Sequence, residues 1–474
     1  MPISKKIIFG LFVIALSQST FADESSSASD RKTISVTIYN GGMGLVRETR
    51  NISLPKGRST LRYEDVASSI LPQTVRVSPA KGSSEFDVFE QNFEYDLISN
   101  QRLLEKYVGK EVTLITTNSK SGEQISTKAK LIAYNDGPVY EIGNTIALNH
   151  PGRVVVSSIP ENLFSKPTLV WELSSKEAGS KSMEVSYQTG GMNWSADYNL
   201  NINDKEDSTD IQSWVTLSNS SGAAFPKANL QLVAGKIQLI SSNRIQENNY
   251  QVRKKTTFAV ADGMESPAFE QENLSEYYLY SLDQPTDIGS QQTKQVQLFS
   301  EKSIKIEKKF IFENLPMYSN NEKKFNNATV RYDIHNTKKN NLGRPLPAGT
   351  VRLFKADSKG RQQLLGEDSI DHTPNNEWVR VSTGSAFDVV ANGRQMSFEQ
   401  FKISNGFKAS YEVDIRNRKK EAITVRFYAN TYGEWKITNN SHSFEKESQY
   451  KVYFDIKIPA DGVEKLKYTI ENQT

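Results

Sequence analysis

The densest run of side chains able to hold a cation or move a proton is Gly366-Glu367-Asp368-Ser369-Ile370-Asp371-His372-Thr373-Pro374, with Glu377 and Asp388 close by. Carboxylates beside an imidazole are the donor types of hard-cation and zinc sites, so Asp368, Asp371 and His372 are the candidate metal or catalytic residues. Their spacing argues the other way. His372 has no second histidine at the i+4 spacing of a helical zinc motif, and no calcium-loop pattern surrounds it. Asp371-His372-Thr373-Pro374 is also good turn chemistry, an Asx-type bond ahead of a proline. The favoured reading is a structural turn, and a metal-dependent or carboxylate-based hydrolase at these residues is the alternative.

The second constellation is aromatic. Residues 192–200 place Trp194, Ala196, Tyr198 and Leu200 on one strand face, opposite Asn193, Ser195, Asp197 and Asn199. Trp194 and Tyr198 could form a ligand platform for a glycan or peptide, since each joins an apolar body to a polar tip. The same alternation is also what a core strand requires. Other chemistries find little support. The four histidines, His150, His335, His372 and His442, are far apart in the chain. There is no Gly-x-Ser-x-Gly elbow and no phosphate-cradling Gly-Lys-Ser/Thr loop. No catalytic residue and no cofactor is expected.

The elements that would carry these residues are strands. Residues 33–39 alternate, with Ile34, Val36 and Ile38 on one face; residues 411–416 and 451–458 repeat the rhythm. Period-2 alternation marks antiparallel strands with one buried and one wet face. Turn chemistry separates the runs at Asn40-Gly41-Gly42, Pro55-Lys56-Gly57, Asn135-Asp136-Gly137-Pro138 and Asp461-Gly462. The best helix is 100–108, with Ser99 as N-cap and Gly109 as the stop. The predicted class is therefore all-β: antiparallel sandwiches, a small SH3-like or Sm-like barrel, and one short helix.

The first residues read as an export signal. Lys5 and Lys6 precede an apolar run at 7–16, and Thr20-Phe21-Ala22 puts small residues at −3 and −1 before Asp23. Cleavage is expected between Ala22 and Asp23. The apolar run is too short to span a bilayer, and no later segment approaches membrane-helix length. With the leader go two of the 58 basic residues and none of the 55 acidic ones, leaving near-neutral charge and no electrostatic footprint for nucleic acid. The chain has no cysteine, which removes disulfides, thiolate metal sites and cysteine nucleophiles; a chain this long can bury enough apolar surface without such staples.

Several segments resemble the mucoidy-inhibitor-like proteins of the bacterial envelope. Val36-Thr37-Ile38-Tyr39, Leu45-Val46-Arg47, Ile52-Ser53-Leu54-Pro55-Lys56-Gly57 and Leu71-Pro72-Gln73-Thr74-Val75-Arg76-Val77 are similar to their N-terminal β domain. Val185-Ser186-Tyr187, Gly191 to Tyr198, Leu230 to Gly235, Leu365 to Asp368, Asp371 to Pro374 and Ala386 to Val389 are similar to their C-terminal domain, whose function is unknown. The longer relatives carry a coiled coil between the two β regions, where this chain has only residues 98–165. The resemblance thus implies fold and an envelope location, and no reaction.

The expected organisation is a signal peptide at 1–22, a disordered lead at 23–32, an N-terminal β domain at 33–97, a helix plus small barrel at 98–165, and a β-sandwich region at 166–474. That last region should hold two subdomains and a mobile loop at 241–275. The expected role is a non-catalytic binding or assembly module exported to the periplasm, with the outer surface or medium as other addresses. Its partner would be an envelope protein or a glycan, and self-assembly through sheet edges is a further possibility.

Overall fold

The alternation at 33–39 becomes the strand Arg31–Tyr39, with Ile34, Val36 and Ile38 buried. The same rule, apolar residues inward at every second position, builds most of the other strands of an all-β fold with one α-helix among the described residues. The computed structural model describes residues 22–119, 121–160, 163–235, 237–238, 269–318, 325–401 and 406–473. The strands form five sheets, antiparallel for the most part. Among the described residues no helix is long and apolar enough to cross a membrane.

Three of the sheets enclose one large core that runs from Ile34 to Val381. Residues 33–97 do not close on themselves within it. Met43–Leu54 pairs along its whole length with Gly179–Gly190, from Leu54 opposite Gly179 to Met43 opposite Gly190. Arg31–Tyr39 lies parallel to Phe225–Ala234. Thr168–Ser175 fits between Gly57–Glu64 and Phe86–Glu94. The expected boundary between 33–97 and the region after 166 is therefore corrected: the two stretches interleave. Alternation assigns each strand its buried face but is silent on its neighbour, so a non-local pairing leaves no local signal.

The lead at 23–32 is corrected as well. Ala22–Ser26 is a strand, parallel to Gly57–Glu64 from Ala22 opposite Ser59 to Ser26 opposite Tyr63. Ala28–Asp30 follows as a 3-10 turn with a capping box at Ser27. What holds the segment is a buried charge cluster. Arg50 donates to the Ser26 carbonyl at 3.1 Å and to Glu48 at 2.7 Å, while Arg31 and the Tyr63 hydroxyl also bond Glu48. Most of the loop expected at 241–275 lies outside the described residues, but Phe269–Leu274 is a strand paired with Tyr277–Leu282.

Between the interleaved stretches, Ser99 caps the helix Asn100–Tyr107. A five-stranded sheet follows, in which the last strand, Arg153–Val155, returns to pair with the first, Glu111–Thr117. It has its own small core around Leu114, Leu131 and Tyr140.

The second large core spans Phe310 to Ile470 and belongs to the ten-stranded sheet. That sheet curls until strands from opposite ends of its path face each other: Tyr468 meets Phe427 and Phe454, with ring centroids 5.9 and 5.4 Å apart. Two long strands thread both cores. Trp378–Gln400 gives Val379 and Val381 to the first and Val389 and Ala391 to the second, and Asn326–His335 divides in the same way.

Candidate functional site

The residues singled out by the sequence do not come together as a site. Trp194 and Tyr198 are not a surface platform: both are buried, with relative exposures of 2% and 3%. Trp194 donates its indole N–H to the Val233 carbonyl, and Tyr198 donates its hydroxyl to the Pro347 carbonyl at 2.7 Å. Burial pushes the Tyr198 hydroxyl well above its ordinary pKa. Each polar tip finds a backbone acceptor, as a buried ring with a polar end requires.

Asp368 sits on the strand Gln362–Ile370. One of its oxygens accepts from the Ser369 N–H at 2.8 Å and the other from the Ser382 N–H at 2.7 Å. The carboxylate thus ties its strand to Trp378–Gln400. His372 accepts the Ala348 N–H on Nδ1 at 3.1 Å and lines a cavity of about 90 Å³ with Tyr278 and Tyr280. Neither Asp368 nor Asp371 lines that cavity. Desolvation lowers the His372 pKa against the pull of Asp371, which favours the neutral ring. Among the described residues no group of three or more His, Asp and Glu side chains is placed to hold a metal ion. Ala22 and Asp23 pair with Ser59 and Thr60, and Asp23 also meets Arg62 at 3.1 Å.

A different place has the shape of a binding site. The curled ten-stranded sheet leaves a cleft of about 300 Å³ at one end of the second core, the lower end of the size range that takes small molecules. The strand Phe407–Asn417 supplies Phe407 and Tyr411, Val463–Gln473 supplies Tyr468 and Asn472, and Ile423–Asn430 with the loop after it supplies Tyr428, Asn430 and Tyr432. Tyr411 and Tyr468 stack with centroids 5.1 Å apart. Their hydroxyls have no hydrogen-bond partner among the described residues, and burial raises the pKa of both, so both stay protonated and able to donate.

The rim is amide and aromatic. Asn430 donates to Asn314 at 2.7 Å, and Asn472 donates to the Tyr432 carbonyl. Tyr432 stands 64% exposed, and Phe398, 58% exposed, stacks on Phe407 at 5.5 Å and extends the aromatic surface outward. Among the described residues that line the cleft there is no Asp, Glu, Lys, Arg or His. Its residues are scattered from 314 to 472, so no contiguous motif announces them. The only local hint is that Tyr411 and Tyr468 share the inward phase of their strands with core residues such as Val413 and Leu466.

No family model matches this sequence, and no curated protein matches it significantly.

Proposed function

We propose that the chain is an exported, non-catalytic envelope protein that binds an uncharged, hydroxyl-rich ligand, a neutral glycan, in the cleft of its C-terminal sheet. The observation that carries this reading is the stack of Tyr411 and Tyr468 in a cleft whose described lining carries no formal charge, with no hydrogen-bond partner for either hydroxyl among the described residues. A sugar ring presents C–H groups on its face and hydroxyls around its edge. Aromatic faces suit the first, and amides and phenol hydroxyls suit the second. An acidic polymer or a phosphate ester would find no cation among the described lining residues.

Support for export comes from the leader pattern at 1–22. The resemblance to mucoidy-inhibitor-like proteins adds the same address. Titration calorimetry of the processed chain against neutral and acidic oligosaccharides tests the proposal. Binding of neutral glycans that weakens in Tyr411→Ala is expected. Failure of every neutral glycan at millimolar concentration, or affinity untouched by Tyr411→Ala, sinks it.

A further inference from the structure

The strands that end the paths of the five sheets differ in one respect. Nearly all carry charge: Asp23 and Glu24 in Ala22–Ser26, Glu270 and Glu272 in Phe269–Leu274, Glu434 and Lys436 in Glu434–Asn440, three charged residues in Glu445–Ser448, and at least one in each of the others but one. Charge on an edge strand discourages another strand from adding to it. The exception is Thr145–Leu148 in the small five-stranded sheet, whose residues Thr-Ile-Ala-Leu include no charge and no proline. Its Ile146 and Leu148 side chains are 59% and 69% exposed.

Among the described residues the backbone on this edge is also without a strand partner. The strand is joined to Pro138–Ile142 by the two-residue loop Gly143-Asn144, with Gly143 at φ +58. In such a hairpin the residues flanking the loop, Ile142 and Thr145, form a hydrogen-bonded pair, and alternation makes Tyr140 and Ala147 the next. The Asn149 N–H bonded to the Pro138 carbonyl at 3.0 Å continues that series. The N–H and C=O groups of Ile146 and Leu148 therefore point away from the sheet, on the edge where both side chains are exposed.

We infer that Thr145–Leu148 is a pairing edge for a second copy of this chain, in antiparallel register about a two-fold axis at Ala147. The sequence is self-complementary in that register. Ile146 falls opposite Leu148 of the copy, and Leu148 opposite its Ile146, so the four outward backbone groups of each strand meet partners and four aliphatic side chains gather on one face. Two five-stranded sheets become one, and an isologous contact closes the assembly at a dimer. The inference rests on residues separate from the cleft and stands whether or not glycan binding does.

Sedimentation velocity of the processed chain over a wide concentration range tests it, alongside two variants. A concentration-dependent dimer is expected, with Leu148→Lys weakening it at least about tenfold while the fold, followed by circular dichroism, is kept. Because the natural chain has no cysteine, Ala147→Cys supplies a single thiol. At a non-hydrogen-bonded antiparallel pair, with Cα atoms about 4.5 Å apart, the two copies fall within disulfide reach, and mild oxidant should trap the dimer. A strict monomer with no trapping by Ala147→Cys overturns the inference. So does a dimer indifferent to Leu148→Lys, or a monomer whose edge pairs only with a foreign strand.

Discussion

Tyr411 stands directly opposite Tyr468 on neighbouring strands, and the two rings stack at 29° with centroids 5.1 Å apart, one half-buried and the other sealed into the core. The asymmetry makes Tyr411 the better handle on ligand binding, since Tyr468 also contacts Phe427 and Phe454. Tyr411→Ala should weaken a neutral glycan by about tenfold, or about 1.4 kcal/mol. Tyr411→Phe keeps the stack and loses only the hydroxyl, so its loss should be smaller. Equal losses in the two variants, read by calorimetry, would mean that the hydroxyl alone makes the contact.

Glu48 is the keystone of a buried charge cluster. Its side chain and that of Arg50 have no exposure at all, and Arg31 reaches the same carboxylate. Removing one partner leaves the others charged, buried and unmatched. Glu48→Gln should cost about 3–5 kcal/mol in denaturant unfolding with the m value unchanged. A loss below 1 kcal/mol would show that solvent enters the cluster.

The same cluster makes the N-terminal segment structural. Deleting residues 23–30 strips Arg50 of the Ser26 carbonyl and Asp65 of the Ala28 N–H, which it accepts at 3.0 Å. The shortened chain should unfold at a lower temperature than one that begins at Asp23. An unchanged melting temperature would restore the view of this segment as a loose lead.

Legibility followed the range of each signal. Alternation assigned Ile34, Val36 and Ile38 to a core face because that pattern is local and the chemistry of burial enforces it. Ser99 and Gly109 marked the one helix because caps are local too. The partner of Met43–Leu54 lies more than a hundred residues away at Gly179–Gly190, and nothing in either strand names the other. For Trp194 and Tyr198 the alternation itself favours a core strand over a platform, and their acceptors, the Val233 and Pro347 backbone carbonyls within the fold, decide for the core. The cleft was illegible for the same reason: Tyr411 and Tyr468 follow an ordinary core rhythm, and only the curl of the sheet makes both part of the lining of one cleft.

Because Tyr198 is a core residue with a bonded hydroxyl, its substitution should read out in stability alone. Tyr198→Phe leaves the buried Pro347 carbonyl without its donor, a cost of about 1–3 kcal/mol. Glycan affinity of the folded fraction should be unaltered. A change in affinity without a change in stability would return Tyr198 to a binding role.

Acid should unfold the protein through a small set of buried carboxylates, of which Asp333 is the clearest. Burial alone would push its pKa up. Arg331, bonded at 2.7 and 3.0 Å, and Lys309 at 2.8 Å overcome that and hold it below its ordinary 3.8. Glu412, under Lys465, Lys467 and Arg394, and Glu206, between Lys308 and Lys355, are shifted the same way against the same burial. A carboxylate whose pKa is depressed by folding contributes stability above its unfolded value, because the unfolded chain takes up the proton first as pH falls. The contribution shrinks below that value and is gone once pH has passed through the folded one. Stability should therefore be nearly flat from about pH 5 to 8 and fall steeply below about pH 4. Asp333→Asn should lower stability at neutral pH, where Arg331 and Lys309 lose their counter-charge, and should make the acid limb shallower. An acid limb as steep as that of the unaltered chain would mean that Asp333 takes up its proton at the same pH folded and unfolded, and that the net uptake on unfolding belongs to Glu412 and Glu206.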